Sequence, residues 1–436
     1  MFRKFIIITL LLISFLYPQQ AVYVLCEGNF NTPNASLWAI NPDHSAIAGP
    51  IHWNPAVNPL GDVGQSLLIY QDKLYIVMNN SNTLEIADIA DEFRYEKTIP
   101  LPNAGPRDIE IVNNIAYLSC WYLGGIIRID LNSGIFLDTL YTDGLPEDLL
   151  YYQGKLYASI TMNPDWSSTD RVIKIEPTDP PVIERIFQVI PGPGQMLAHD
   201  NYLYVASTYY DESWNTYAGN SKIDLSTGTV TQKDFGITFS FGADLVMFNK
   251  RVCRVYNGGI CALTDSLTMD TTNQIGNYPN VYSAATYDNL IYFGLSDYTA
   301  PDNVVILDSS GNELANFQVG SLPGSFAFYN NVSSNIVSHD KDLPRDFRLE
   351  QNYPNPFNNT TTISYTITKP GNYRLAIYNL AGQHIADLTD GYQSVGTGNV
   401  QWNGMDKNDI PVASGSYLYQ LCSEKQVITK RMIYLK

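Results

Sequence analysis

Residues 66–88 read SLLIYQDKLYIVMNNSNTLEIAD, and this stretch decides the fold. It holds three apolar runs separated by two short polar segments, and its second run opens with an apolar residue followed by tyrosine. The third run ends on an aspartate. Short aliphatic, β-branched and aromatic runs between Asn, Asp and Ser turns are typical of antiparallel β-strands.

The same three-strand pattern recurs along the chain. The spacing between copies is about 40 to 48 residues, which is the period of a four-stranded β-propeller blade. Most of the third runs are followed by a glycine-containing turn. The third runs are residues 85–88, 127–130, 173–176, 222–224, 262–265 and 305–308.

The two ends of this region supply a seventh copy. Residues 326–329 read as an innermost strand with nothing after it, whereas residues 21–25 and 37–40 read as a second and third strand with nothing before them. Joining them in one blade closes the ring and removes two exposed sheet edges. The sequence therefore predicts an all-β chain with a seven-bladed β-propeller over residues 21–331.

Composition and charge narrow the class of protein. The chain has 436 residues, a formal net charge of −17, 31 tyrosines and 17 phenylalanines. This charge argues against binding to nucleic acids and to anionic membrane surfaces, because both need clustered Lys and Arg. Residues 1–20 are predicted to be a signal peptide, because Arg3 and Lys4 precede an apolar run of the right length that is too short for a membrane span. A lipoprotein interpretation based on Cys26 lacks the small preceding residues that lipid attachment requires.

Cysteine and histidine usage predicts neither a metal site nor a cofactor. Five cysteines in an exported protein do not make a complete disulfide framework. Cys253 and Cys261 flank a tight Asn-Gly-Gly turn, so they are either a cross-strand disulfide or two buried free thiols. The Asp-rich stretch 297–302 does not have the spacing of a calcium loop.

Polar residues at the start of the innermost strands are the main candidates for a ligand site. In a propeller, the loop after each second strand opens on the same face as the connection into the next blade. We expect a polar ring at this channel mouth, with aromatic and amide side chains on the surrounding loops, suited to a glycan, a peptide or a small molecule. The alternative is that the ring only satisfies backbone groups and channel water. The candidates are Gln65, Arg107, Glu147, Gln195 and Asp244 in the ring and Asn80, Trp121, Trp166, Tyr210 and Trp214 on the loops.

Signals for catalysis are weak, so we predict a binding protein and not an enzyme. Glu147 and Asp148 are adjacent on one strand and should point to opposite faces, which prevents them from flanking one bond. No Gly-x-Ser-x-Gly motif occurs. An enzyme of the lyase or lactonase type is kept as an alternative.

The carboxyl-terminal ninety or so residues carry a second set of motifs. These are FRLEQNYPNPF at 347–357, IYN at 377–379, WNGMD at 402–406, GSYLY at 415–419 and the basic tail KRMIYLK at 430–436. Together they resemble the C-terminal sorting domain of the type IX secretion system, whose fold is similar to the immunoglobulin-like domain of flagellar hook-capping proteins. The resemblance implies a small Ig-like β-sandwich at 347–436, after a polar linker at 332–346. It also implies that the export machinery reads the final strands, with Gly415, Tyr417, Lys430 and Lys436 as the sorting signal.

The propeller region has a resemblance of its own. The runs VLCEGNF at 24–30 and PLGDVGQS at 59–66 are similar to YncE-like, surface-layer-type propellers. Some relatives of that group capture cobalamin at the cell surface, so corrinoid capture is a further alternative. The combined prediction is a secreted or cell-surface protein, a monomer without a transmembrane span in its mature form. It would be delivered by type IX machinery and would bind an unidentified extracellular ligand.

Overall fold

The structure is a computed structural model that describes residues 20–51, 60–90, 94–238, 241–299, 301–330, 347–349, 352–355, 357–379, 384–408, 410–423 and 427–435. Nearly all of these residues lie in β-strands or turns, and η1 (Thr271–Asn273) is one turn of 3-10 helix. The chain divides into two compact units between residues 331 and 332. The predicted leader, apart from its last residue, and the predicted linker lie outside the described residues.

Seven antiparallel sheets make up the first unit, and we number these blades along the chain. Blade 1 comprises β4 (Gly64–Tyr70), β5 (Lys73–Met78), β6 (Thr83–Asp88) and β7 (Arg94–Pro100). Blade 2 comprises β8 (Pro106–Val112), β9 (Ile115–Cys120), β10 (Gly125–Asp130) and β11 (Ile135–Tyr141). Blade 3 comprises β12 (Leu145–Tyr152), β13 (Lys155–Met162), β14 (Ser168–Glu176) and β15 (Val182–Gln188).

The remaining blades follow in the same order. Blade 4 comprises β16 (Pro193–His199), β17 (Tyr202–Tyr210), β18 (Thr216–Asp224) and β19 (Val230–Ile237). Blade 5 comprises β20 (Phe241–Phe248), β21 (Arg251–Tyr256) and β22 (Gly259–Ala262). Blade 6 comprises β23 (Val281–Tyr287), β24 (Leu290–Leu295), β25 (Asp302–Leu307) and β26 (Glu313–Val319). Blade 7 comprises β27 (Pro323–Asn330), β1 (Gln20–Cys26), β2 (Ser36–Ile40) and β3 (Ile47–Ala48).

The two ends of the unit meet in blade 7, as predicted. β1 pairs with β27 from Gln20 opposite Asn330 to Cys26 opposite Pro323. The innermost strands contact each other in cyclic order, and β27 contacts β4 of blade 1. The prediction of an all-β, seven-bladed β-propeller is therefore confirmed.

The burial of the strands explains why the repeat is so apolar in its middle. β5 and β10 are buried along nearly their whole length, because adjacent blades pack against both faces of each sheet. The outermost strand β7 alternates between exposed and partly covered positions, since it lies at the rim of the ring. Continuous apolar runs thus mark the second and third strands, and mixed runs mark the fourth.

Blade 5 departs from the predicted pattern. Its third strand is β22 (Gly259–Ala262), not the predicted 262–265. The turn at Asn257 and Gly258 pairs Tyr256 directly with Gly259, so the third strand begins early. Leu263 then pairs with Met269 across another turn, and Ile275 bridges back to Ile260 where other blades have a fourth strand.

The pairing of β21 with β22 also shows whether Cys253 and Cys261 are placed to form a disulfide. Cys253 lies opposite Ala262, and Cys261 lies opposite Arg254, so the two cysteines are not cross-strand partners. Both are free and buried. They pack as small apolar side chains, which is the second of the two interpretations left open by the sequence.

A fully buried arginine joins blade 5 to blade 4. Arg254 is 0% exposed and donates to the carbonyl oxygens of Ser207 at 3.0 Å and Gly219 at 2.6 Å, and to Asn220 Oδ1 at 2.7 Å. It also donates to Gly242 O at 3.0 Å. Burial lowers the pKa of Arg254 to about 9, yet the guanidinium stays charged at neutral pH and holds both blades in register.

The second unit is a seven-stranded β-sandwich. One sheet has the order β28-β29-β32 and the other has the order β31-β30-β33-β34. Side chains of both sheets share one core, which includes Phe347, Leu375, Trp402 and Tyr419. The strands are β28 (Phe347–Leu349), β29 (Thr361–Ile367), β30 (Gly371–Asn379), β31 (His384–Gln393), β32 (Gly396–Trp402), β33 (Gly415–Cys422) and β34 (Val427–Tyr434).

Within the residues that the structure describes, no helix has the length and apolar content needed to cross a bilayer.

Candidate ligand site at the channel mouth

The strand order of the blades places one set of loops around the channel mouth. The loop after each second strand and the connection into each next blade open at the same end of the sheets. The start of every innermost strand lies at this end. Residues from blades far apart in sequence therefore meet here.

Arg107 is the centre of the polar ring. It donates from Nη1 to Gln65 Oε1 at 2.7 Å, and it binds Glu147 through Nε at 3.0 Å and Nη2 at 2.6 Å. Three predicted ring residues from blades 1, 2 and 3 thus form one contact network. Burial disfavours the charged guanidinium, but the Glu147 carboxylate and Glu27 outweigh this and hold the pKa of Arg107 above its ordinary value.

Trp121 lies against this network with an unused hydrogen-bond donor. The guanidinium carbon of Arg107 is 4.3 Å from the centre of the Trp121 ring, a cation–π contact. The indole Nε1 of Trp121 is buried and has no acceptor among the described residues. Trp166 packs edge-on against Trp121, with ring centres 5.8 Å apart. A buried N–H without a partner costs free energy, so a ligand or water oxygen at this point would be favourable.

Glu27 and Tyr282 complete the mouth on the side of blades 6 and 7. The Tyr282 hydroxyl donates to Glu27 Oε1 at 2.8 Å. Glu27 occupies the space left by Gly324, since a Cβ at that glycine would lie 2.3 Å from Glu27 Oε1. Burial raises the pKa of Glu27 to about 7, and the bond from Tyr282 and the charge of Arg107 oppose this rise only in part. We call Glu27, Gln65, Arg107, Trp121, Glu147 and Tyr282 the mouth cluster.

Gln195 and Asp244 do not belong to this cluster, which corrects the prediction of one equivalent ring. Met196 pairs with Val205 and Leu245 pairs with Arg254, as Ile109 pairs with Leu118. Gln195 and Asp244 therefore align with Asp108 and not with Arg107. A shift of one residue along a strand sends a side chain in another direction.

The residues in this second register hold neighbouring blades together. Each accepts the backbone N–H of the next innermost strand: Asp108 from Leu149 at 2.8 Å, and Asp148 from Met196 at 2.8 Å. Asp244 accepts from Ala284 at 2.5 Å, and Gln195 accepts from the Leu245 N–H. Their oxygens satisfy backbone donors that the innermost edge of each sheet leaves unpaired.

The channel carboxyl groups are poorly solvated. Burial raises the pKa of Asp244 to about 6 and that of Glu110 to about 8, where the charge of Asp108 adds to the rise. The pKa of Asp148 is raised well above its ordinary value by burial and then by Asp108. At neutral pH the channel therefore carries less negative charge than its composition suggests.

The loop candidates lie on the same face but separate into groups. Trp121 and Trp166 reach the mouth cluster, as described above. Asn80 donates to Asp62 Oδ2 at 2.6 Å and to Asn31 Oδ1 at 3.3 Å, so it joins the loops of blades 1 and 7. Tyr210 and Trp214 pack on each other in the blade 4 loop, with ring centres 6.0 Å apart.

The predicted sorting residues have different surroundings in the second unit. Tyr417 is 7% exposed, donates from its hydroxyl to Ala413 O at 2.8 Å and packs against Trp402. It therefore contributes to the core of the sandwich. Lys430 lies on β34 opposite Tyr419, and Gly415 begins β33. Lys436 lies outside the described residues.

Sequence reasoning did not identify Tyr282 as a site residue. Aligning the innermost strands by their pairing places Tyr282 in the same register as Gln65, Arg107 and Glu147, since Ala284 pairs with Phe293. That alignment requires the bulges at the strand starts, which do not appear in the hydrophobic pattern.

The hydrogen bonds of the cluster determine which of its carboxyl groups can exchange a proton. Both carboxylate oxygens of Glu147 are bound to Arg107, so this group is neither a free base nor a free nucleophile. Within the mouth cluster, Glu27 has a pKa near neutrality, so it can accept or donate a proton at the mouth. Around it, the Trp121 N–H and the faces of two tryptophans offer directional and stacking contacts.

Comparison with known proteins supports the fold of both units. A family model described as the FlgD Ig-like domain matches residues 357–426, so the second unit is an immunoglobulin-like domain. A putative 6-phosphogluconolactonase from Bacteroides fragilis is similar in structure, with a TM-score of 0.52 and 11% identity over 72% of this chain and 99% of that chain. Hydrazine synthase from Kuenenia stuttgartiensis gives a TM-score of 0.50 and 13% identity over 64% of this chain and 90% of that chain.

Virginiamycin B lyase from Staphylococcus aureus is less similar, with a TM-score of 0.42 and 14% identity over 59% of this chain and 84% of that chain. At 11% and 13% identity, the first two likenesses describe the propeller fold alone. No curated protein matches the sequence.

The raised pKa of Glu27 predicts a specific pH dependence of stability. Because the pKa rises from 4.5 to about 7 on folding, the contribution of Glu27 is fully present below about pH 4.5 and is lost as the pH rises to about 7. Glu27→Gln keeps an acceptor for Tyr282 and cannot ionise. We expect Glu27→Gln and the unchanged protein to unfold alike at pH 4.5, and the variant to be more stable at pH 8 by on the order of 2 kcal/mol.

Thermal unfolding at both pH values measures this difference. Glu212→Gln, at an exposed carboxyl of the blade 4 loop, is the matched control and should change neither value. A Glu27→Gln effect of equal size at pH 4.5 and pH 8 would contradict the burial of an ionisable group at the mouth.

Proposed function

We propose that this protein is exported and captures an extracellular ligand at the channel mouth of its propeller. The observation that carries the proposal is the Trp121 indole N–H, which is buried beside Arg107 and has no acceptor in the described part of the chain. In a folded protein such a donor is usually satisfied by water or by a ligand. The mouth cluster around it is held in place by several blades, so it is organised before a ligand arrives.

The chemistry of the cluster defines the kind of ligand. A ligand oxygen would accept from Trp121 Nε1, and ligand hydroxyl or amide groups would exchange hydrogen bonds with Glu27 and Tyr282. The positive charge of Arg107 is matched by Glu147 at 2.6 Å, and the chain as a whole carries −17. An uncharged polar molecule therefore suits the mouth better than an anion.

The route of export is the second part of the proposal. The motifs from 347–357 to the basic tail occur in the order that the type IX sorting domain requires, and the Ig-like fold of this unit agrees with them. We infer that the second unit directs the chain across the outer membrane through the type IX machinery. The propeller would then be a surface or secreted member of the YncE-like, surface-layer-type group.

Ligand capture at the mouth can be tested by thermal shift on residues 20–436. The probes are neutral oligosaccharides, a pool of short peptides and cyanocobalamin. We expect one class to raise the unfolding temperature, because a ligand that binds only the folded state stabilises it. Trp121→Phe removes the indole N–H and keeps an aromatic ring, so it should weaken binding by about 10-fold, the effect of one buried hydrogen bond.

Trp38→Phe is the matched control, because the Trp38 indole already donates within its own blade to Ser36 Oγ at 3.0 Å. It should leave ligand binding unchanged. Stabilisation that persists fully in Trp121→Phe would place the ligand elsewhere. Stabilisation by cyanocobalamin alone would favour corrinoid capture.

Export can be tested by producing the chain in a bacterium that has type IX secretion. Removing residues 427–436 deletes β34, and we expect the shortened chain to stay inside the cell while the full chain reaches the surface or the medium. Tyr392→Ala changes a side chain that is 68% exposed on β31 and should not affect export. Equal export of the full and shortened chains would rule out a sorting role for the terminal strands.

A further inference from the structure

Aromatic side chains recur at the tips of the loops that surround the channel mouth. The loop after the second strand carries Trp166 in blade 3, Trp214 in blade 4 and Tyr298 in blade 6. These rings are 57%, 81% and 69% exposed. Large apolar side chains at such exposure contribute little to the stability of the fold.

The backbone at these three residues is in an unfavourable conformation for an aromatic residue. Their φ angles are +69°, +63° and +68°. A left-handed conformation is readily adopted by Gly and Asn, whereas a bulky side chain there is an outlier. The equivalent loops of blades 1, 2 and 5 have Asn82, Gly124 and Asn257 at positive φ, so in these loops a residue that favours this conformation occupies the position.

Local hydrogen bonds fix each of these loops. Trp166 N–H donates to Asn163 O at 2.9 Å, and Trp214 N–H donates to Asp211 O at 2.9 Å. In blade 6, Asp297 Oδ1 accepts from Thr299 N–H at 2.9 Å. The rings are thus held outward on rigid turns, and little conformational entropy would be lost when they bind a partner.

Two of these three rings contact residues of the mouth cluster. Trp166 contacts Trp121 with ring centres 5.8 Å apart, and Tyr298 contacts Tyr282 with ring centres 6.0 Å apart. A cleft of about 440 Å³ is lined by Asn163 and Ser168, which flank Trp166 in the sequence. The rest of its lining is Thr169, Asp170, Arg171 and Pro191.

The positions of the aromatic loops around the ring suggest the shape of the ligand. Exposed rings occur in the loops of blades 2, 3 and 4 and again in those of blades 6 and 7. Tyr122 in the blade 2 loop is 57% exposed, and Phe30 in the blade 7 loop is 61% exposed. The described loop residues of blades 1 and 5 include no ring after the second strand, apart from Tyr256 at the end of β21. Blades 1 and 5 lie nearly opposite each other, so the rings form two rows on either side of the mouth.

We propose that these two rows, the aromatic rim, bind a neutral, extended polysaccharide that crosses the channel mouth. The proposal rests on ligand capture at the mouth and names the class of ligand. Separate exposed rings suit stacking on successive sugar faces, and the Asn, Ser and Thr groups beside Trp166 suit sugar hydroxyls. The rim loops also carry Asp165, Asp211 and Glu212, and a polyanion would meet repulsion there.

Affinity gel electrophoresis of residues 20–436 tests the aromatic rim. The gels contain a β-1,3-glucan, a galactomannan, amylopectin or polygalacturonate, and the first three are neutral. We expect at least one neutral polymer to retard the protein and polygalacturonate not to do so. Trp166→Ala and Trp214→Ala should each weaken retardation on the order of 10-fold, as for other stacking contacts.

Two controls separate binding from packing. Phe136→Ala removes a ring that is 54% exposed on the outermost strand of blade 2, near the end of β11 that lies away from the mouth, and should leave retardation unchanged. Trp214→Asn places a residue that readily adopts positive φ at a position with φ +63°. We therefore expect its unfolding temperature to equal or exceed that of the unchanged protein. Its retardation should be weaker, because the ring is gone.

The proposal is overturned if no neutral polymer retards the protein, if polygalacturonate retards it more, or if Phe136→Ala has the same effect as Trp214→Ala. It is also overturned if Trp214→Asn lowers the unfolding temperature by several degrees, because Trp214 would then be a packing residue. If a small ligand stabilises the protein through Trp121 but no neutral polymer retards it, only the aromatic-rim proposal is rejected. If retardation depends on Trp166 and Trp214 but Trp121→Phe has no effect on binding, only the proposed mouth site is rejected.

Discussion

Pairing of the first strand with the last innermost strand is the constraint on which the propeller depends. β1 and β27 are hydrogen-bonded from Gln20 to Cys26, although more than three hundred residues separate Gln20 from its partner Asn330. This pairing closes the ring, so all seven innermost strands begin around one channel. The loops that follow the second strands then share one face. Without closure, the side chains of the mouth cluster, which come from five blades, would not meet.

Closure of the ring also brings several carboxyl groups together in the channel, where they form hydrogen bonds with the backbone. Innermost strands have a free edge, and Asp108, Asp148, Gln195 and Asp244 satisfy its backbone donors. Burying so many carboxyl groups raises their pKa values, as for Asp244 and Glu110. At the mouth, Arg107 donates hydrogen bonds to both carboxylate oxygens of Glu147. The mouth thus combines a fixed ion pair, a titratable Glu27 and a buried Trp121 N–H that has no acceptor among the described residues.

The repeat made the fold predictable, but single-residue register was not. Apolar runs revealed the second and third strands, because neighbouring blades bury both of their faces. The starts of the innermost strands contain bulges that no periodicity reveals, so Gln195 and Asp244 were wrongly aligned with Arg107. In blade 5, a turn at Asn257 and Gly258 moved the third strand forward from its predicted position. Tyr417, predicted as part of the sorting signal, packs in the core of the sandwich, where its contacts with Ala413 and Trp402 depend on tertiary structure.

Hydrogen exchange of the amides in residues 20–26 tests ring closure most directly. If β1 is held between β27 and β2, these amides exchange as slowly as those of the central strands β9 and β13, because all of them open only when the ring unfolds. Mass spectrometry of the corresponding peptides gives the comparison in one experiment. Rapid exchange in residues 20–26, while β9 and β13 stay protected, would show an open ring and would contradict the shared channel mouth.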